Sequence, residues 1–251
     1  MTPGEQILLN IVGGISASLI FFGFFELIKK LKIQLQKRNF KSVFGNDSTN
    51  DFSIVYGKMV LLPCFDKEGK PVEWPYAKPD INSRFRFSSP VSFTSTKSAK
   101  YISESFVKNG DYAPKLVSDE DIKDRLDISY CALGGLNNYK TIDILESEEN
   151  SFYEFRDGAI IDKDDQNKKY VIDDSYDYAL IIKVMPKFFP ERVWIAIAGL
   201  GEWGTSGASW FISKKWKEVK KIAGNKDFGL IIRVKGGKDE SGEIFSYKIM
   251  K

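Results

Sequence analysis

Two glycine-rich segments stand where a strand hands over to a helix, and they are the residues best placed to do chemistry. Gly199-Leu200-Gly201-Glu202-Trp203-Gly204-Thr205-Ser206-Gly207-Ala208 follows the apolar run 193–198 and leads into a helical stretch from Ser209. Glycines let the backbone approach an anion, and the free N–H groups at a helix start point toward it. Gly199, Gly201 and Gly204 fit G-x-G-x-x-G, and Thr205 and Ser206 add hydroxyl donors. No acidic ribose ligand ends the following strand, which argues against an ordinary dinucleotide site. Gly134-Gly135-Leu136-Asn137-Asn138 repeats the logic after the apolar run 128–133, with two amide side chains. Ligands of open α/β sheets bind at the carboxyl ends of strands. The two loops are therefore expected to share one rim, with Gly134, Gly135, Asn137, Asn138, Gly199, Gly201, Gly204, Thr205 and Ser206 as ligand-binding residues. Glu202 is the candidate catalytic acid or base. Tight turns without a ligand are the plainer alternative, because glycine is the default residue there.

Residues 201–205 resemble the nucleotide-phosphate loop of the SLOG superfamily, whose form is P-G-G-x-G-T-x-x-E. Gly201, Gly204 and Thr205 are in register over about ten residues. Ala198-Gly199-Leu200 stands where the family has proline, and Ala208 lies near the place of its catalytic glutamate. The resemblance implies nucleotide binding rather than hydrolysis.

Composition removes several reaction classes. The chain has no histidine, which excludes Ser-His-Asp and Cys-His catalysis and imidazole zinc sites. Cys64 and Cys131 have no paired spacing and read as free thiols. No calcium-loop spacing occurs among the aspartates; Asp47, Asp51, Asp173, Asp174 and Asp177 read as turn residues, and 162–165 as a solvated hairpin tip. No metal is expected, and no cofactor is identified.

The positioning elements follow from periodicity. Residues 52–56, 128–133, 178–184, 193–198 and 228–234 are short, apolar and β-branched, as strands are. The runs 128–133 and 193–198 are apolar on both faces, so they belong inside a covered sheet. Residues 243–250 read as a last edge strand after the Gly236-Gly237 turn. Helices are expected at 97–108, after Ser118, from Thr141, and at 209–223. Residues 60–95, broken by five prolines, read as an irregular insertion packed on one face, with a lid as the alternative. The fold class is α/β: a Rossmann-like domain with a mixed, largely parallel sheet.

Ahead of it lies a different kind of segment. Residues 7–25 are 19 residues without a charge, followed by Lys29, Lys30, Lys32, Lys37, Arg38 and Lys41. That length just spans a bilayer core, and the cations assign the following side to the cytoplasm. A single transmembrane helix with basic flank over 1–41 and a cytoplasmic domain over 42–251, at the inner membrane, are expected. Gly13, Gly14, Ala17 and Ser18 offer a small-residue face for homo-oligomerisation. Residues 1–41 carry a net charge of +4, leaving −1 for the rest of a chain that is +3 overall, so no nucleic-acid groove is expected. The functional expectation is a membrane-anchored sensor or effector of a nucleotide-like ligand, an architecture suited to bacterial stress or phage-defence signalling. The alternatives are an N-glycosidic hydrolase using Glu202 and a tethered protein-interaction domain.

Overall fold

The computed structural model describes residues 2–45, 51–58, 64–65, 71–72 and 91–250. Most of the expected insertion at 60–95, and the turn at 46–48, lie outside them. The chain opens with α1 (Pro3–Phe44), 42 residues long, or about 63 Å at 1.5 Å per residue. Proline is tolerated at its first position, and Gly45, at φ +112, carries the chain out of it. There follow β1 (Phe52–Tyr56), β2 (Cys64–Phe65), β3 (Pro71–Val72), α2 (Phe93–Asn109), β4 (Lys115–Ser118), a 3-10 turn at Glu120–Ile122, β5 (Ser129–Leu133) and α3 (Tyr139–Glu146). Then come β6 (Tyr153–Arg156), β7 (Ala159–Asp162), β8 (Lys169–Tyr170), β9 (Tyr176–Val184), β10 (Trp194–Gly199), α4 (Gly204–Ala223), β11 (Phe228–Lys235) and β12 (Lys238–Ile249).

Seven strands form the main sheet in the order β12-β11-β9-β10-β5-β1-β4. It is mixed, as expected of this α/β chain. Parallel pairing joins β4, β1, β5 and β10, while β10, β9, β11 and β12 pair antiparallel. The antiparallel pairing of β11 with β12 follows from its connection: Gly236-Gly237 is a hairpin turn, and antiparallel neighbours are all that so short a link can join. Both β5 and β10 are interior strands, which is why their residues are apolar on both faces. β12 is one edge.

Alternation along the strands splits the core in two. Ile54, Cys131, Leu133, Ile195 and Ile197 face a layer made by α1, α2 and α4. Val55, Tyr130, Ala132, Trp194 and Ala196 face α3 and a separate sheet, β6-β7-β8. That small sheet and β4 have no strong sequence pattern and were not among the expected elements. The helix after Ser118 shrinks to the 3-10 turn, with the Ser118 hydroxyl accepting from Asp121 N–H at 3.3 Å.

The boundary expected at residue 41 cuts through a packed element. Phe40, Val43 and Phe44 are fully buried in the larger core cluster, and the Phe40 ring packs edge-on to Phe106 and Trp216. Burial of such side chains stabilises by about 1.5–3 kcal/mol each. The buried Lys183 of β9 donates to Ser42 C=O at 2.9 Å and Asn225 C=O at 3.1 Å, tying the C-terminal ends of α1 and α4 to the sheet. Farther toward its N-terminus α1 leaves the domain: Ile20, Phe21, Phe22, Phe24, Phe25 and Leu27 are all exposed. Side chains of residues 7–14 and 16–19, on which the expected span also rests, lie outside the described set. Among the described residues no helix is long and apolar enough to cross a membrane.

Candidate functional site

The two glycine loops do meet. β5 and β10 are adjacent and parallel, with Leu133 opposite Ile197 and Gly134 N–H donating to Ile197 C=O at 3.0 Å. Both loops therefore leave the same end of the sheet, with a Cβ on Gly135 4.0 Å from Gly199 C=O. The end of β1 joins them: a Cβ on Gly57 would stand 2.6 Å from Asn137 C=O. The shared rim is thus present, and α4 starts from it.

The anion position at the α4 N-terminus is held by the chain's own Asp177. This carboxylate, 5% exposed at the second residue of β9, accepts from Gly201 N–H at 3.0 Å, Trp203 N–H at 2.9 Å and Gly204 N–H at 2.7 Å. Reading Asp177 as a turn residue is corrected here: it supplies the negative charge that a helix start favours. Its distance in sequence, more than twenty residues from the loop, leaves no local signal that could have revealed it. Asp173 does act as a turn residue, accepting from Ser175 and Tyr176 N–H.

The glycines follow from this internal ion. A Cβ at Gly201 would lie 2.8 Å from an Asp177 oxygen, and one at Gly204 2.8 Å from Gly199 Cα and 2.9 Å from Tyr178 C=O. At Gly199 the nearest atom would be Thr205 N, at 2.4 Å. Close approach of backbone to backbone and of Asp177 to backbone is what these positions serve. The hydroxyls are engaged likewise. Thr205 Oγ1 accepts from Gly199 N–H at 2.9 Å, and Ser206 donates to Asp239 at 2.7 Å.

Asp239 centres a second buried group. Besides Ser206 it takes Tyr101 Oη at 3.0 Å and Lys97 Nζ at 2.5 Å, so α2, α4 and the β11–β12 hairpin converge on one carboxylate. Burial and that carboxylate push the Tyr101 hydroxyl up to about 12. Lys97 also lies 5.3 Å from the Trp203 ring centre.

The Gly134 loop shows the same economy. Asn138 is fully buried and caps α3, accepting from Lys140 N–H at 3.0 Å while donating to Val55 C=O at 3.1 Å and Leu133 C=O at 3.0 Å. Gly134 has φ +102, a backbone region that favours glycine. Asp119, 2% exposed and missed by the sequence reading, accepts from Tyr139 N–H at the start of α3 at 3.0 Å. Two helices thus begin at this rim, and each begins on an internal carboxylate.

No family model matches the chain, and neither does any curated protein or solved structure. The resemblance of residues 201–205 to the SLOG loop therefore rests on those residues alone.

Of the polar side chains predicted for the site, Asn137 and Glu202 are the exposed ones, without a side-chain partner among the described residues. Among the described residues no group of three His, Cys, Asp or Glu is placed to hold a metal ion. Cys131 is fully buried, and burial raises its thiol far above the ordinary range, so it is not nucleophilic.

Proposed function

We propose that this chain is a membrane-tethered sensor or effector: α1 holds it to a bilayer, and the α/β domain acts as a binding module on the cytoplasmic side. The observation that carries this reading is the exposed apolar face of α1. Successive helix residues turn by about 100°, so Ile20, Phe21, Phe22, Phe24, Phe25 and Leu27 cover about 220° of the helix circumference, with Gly23 and Glu26 on the remaining side. An exposed apolar face this wide belongs inside a large core or a membrane, and the described residues of the domain provide no such cover. Lys29, Lys30 and Lys32 follow immediately, where lipid headgroups would lie. Because α1 runs unbroken into the core at Phe40–Phe44, the tether is stiff rather than a loose linker.

A nucleotide-like ligand fits this reading at the outer rim, on Gly135, Asn137 and Glu202, rather than at the loop amides that Asp177 occupies. A second reading is favoured by Asp119 and Asp177: a tethered protein-interaction domain, whose glycine loops serve close packing alone. Membrane isolation followed by carbonate extraction tests the tether. The full chain should stay with the membrane, and its recovery as a detergent-free soluble monomer would refute it. Thermal shift against a nucleotide panel separates the two readings of the rim. A concentration-dependent rise that Asn137→Ala removes supports a ligand there, and no rise supports the interaction domain.

A further inference from the structure

We infer that the groove between α1 and α4 is a binding site for the phosphate of an anionic phospholipid in the membrane that α1 enters. This rests on the tethered reading above. The groove has a volume of about 360 Å³, within the range of small-ligand sites. Lys32 and Leu35 of α1 line one wall, and Trp216, Lys217, Lys220 and Lys221 of α4 the other. Among the described residues no acidic one lines it.

What sets these lysines apart is that they share one concavity. On the same helices Lys29 pairs with Glu26, Lys37 with Asp111, Lys214 with Glu104 and Lys215 with Glu218, while Lys30 and Lys41, also outside the groove, have no acidic partner among the described residues. Lys32, Lys217, Lys220 and Lys221 have none among the described residues. Four cations thus converge on one concavity without a counter-ion, at an electrostatic cost that a bound anion would relieve. The Lys217 ammonium stands 5.6 Å from the Trp216 ring centre, over an otherwise buried indole.

Position and polarity select a lipid as the source of that anion. Lys32 lies seven residues beyond Phe25, or about 10 Å along the helix, a few ångströms past a headgroup layer of about 5–7.5 Å per side, a gap that a lysine side chain directed toward the helix N-terminus spans. Leu35, 58% exposed, adds an apolar wall that a free phosphate would not use and a glycerol backbone would. The compact ammonium groups suit a phosphate as point charges, without the fork geometry of arginine.

The test uses the full chain, because the end of α1 is part of the core. In detergent, the protein is titrated with short-chain phosphatidylglycerol, short-chain phosphatidylcholine and inorganic phosphate, following tryptophan fluorescence. In parallel it is floated with pure phosphatidylcholine vesicles. We expect saturable binding of phosphatidylglycerol that phosphatidylcholine does not reproduce and that inorganic phosphate competes for only weakly. Lys217→Gln with Lys220→Gln should weaken it about 30-fold, at roughly one lysine's surface attraction each. Equal binding of the two lipids, unchanged binding by the double variant, or inorganic phosphate binding as tightly as the lipid would overturn the assignment. Flotation with neutral vesicles alongside any of those results sinks the groove and leaves the tether standing. Failure to float sinks the tether itself.

Discussion

Asp177 is the residue whose removal tests most sharply how this rim is built. Its two oxygens accept from three backbone N–H groups at the start of α4, within 2.7–3.0 Å. Hydrogen bonds to a charged group contribute about 1.5–3 kcal/mol each, and a buried donor left without a partner costs about 1–3 kcal/mol. Asp177→Asn keeps one oxygen and turns an NH2 group toward the remaining donors. Whichever way the amide is oriented, at least one N–H loses its acceptor and the charge is gone. The three bonds share one carboxylate and do not add, so we expect a loss of about 2–3 kcal/mol for Asn and about 3–5 kcal/mol for Ala. For a domain of this size that is a fall of roughly 5–10 °C in melting temperature for the Asn variant. Full-length wild type and variant, melted side by side in the same mild detergent and followed by near-ultraviolet circular dichroism, give the comparison. A variant within 0.5 °C or so of wild type, well inside the ±0.5 kcal/mol typical of surface changes, would refute the internal-ion account. So would a stabilised variant with raised affinity for a nucleotide, which would mean that Asp177 merely stands in an external anion's place.

Three further outcomes follow from the same contacts. Gly204→Val should unfold or strongly destabilise the domain rather than block a ligand selectively, because its Cβ would meet Gly199 Cα and Tyr178 C=O within 3 Å; soluble yield and melting temperature read this. Asn138→Ala should cost about 2–4 kcal/mol by losing the α3 cap and the side-chain bonds to the Val55 and Leu133 carbonyls, measured by urea denaturation. Burial lowers the Lys183 ammonium from its ordinary 10.5 to about 8, so the folded state binds its proton less tightly than the unfolded chain does. Stability contributed by Lys183 is therefore smallest below pH 8 and grows as the pH rises toward the unfolded value. Wild type should gain about 2 kcal/mol relative to Lys183→Met between pH 7 and pH 10, and parallel pH profiles for the two proteins would contradict this.

How much of this was legible in the sequence depends on how far apart the partners lie. Residues 193–198 and 128–133 declare themselves as interior strands because both faces are apolar, and the glycines after them mark the carboxyl-end rim. The pairing of β9 with β10 and β11 is a matter of topology, which local periodicity does not encode. The glycine loop is legible as a place where an anion meets a helix start, but not as one whose anion is Asp177, since that carboxylate arrives from another strand. Ser206 and Asn138, legible as donors to a ligand, give their hydrogen bonds to Asp239 and to backbone carbonyls, and Thr205 accepts from the Gly199 N–H. Phe40 and Phe44 sit among lysines in the sequence, and their burial appears only once α2 and α4 pack on α1.

The environment of Phe22 tests the account's central claim most directly. A spin label at Phe22→Cys, in a Cys64→Ser background of the full chain reconstituted in vesicles, reports whether that side chain contacts lipid, water or protein. The account predicts high accessibility to oxygen and low accessibility to a water-soluble nickel chelate, the signature of hydrocarbon. High accessibility to the chelate, or low accessibility to both probes, would place the apolar face of α1 in water or in a protein interface and contradict the tether.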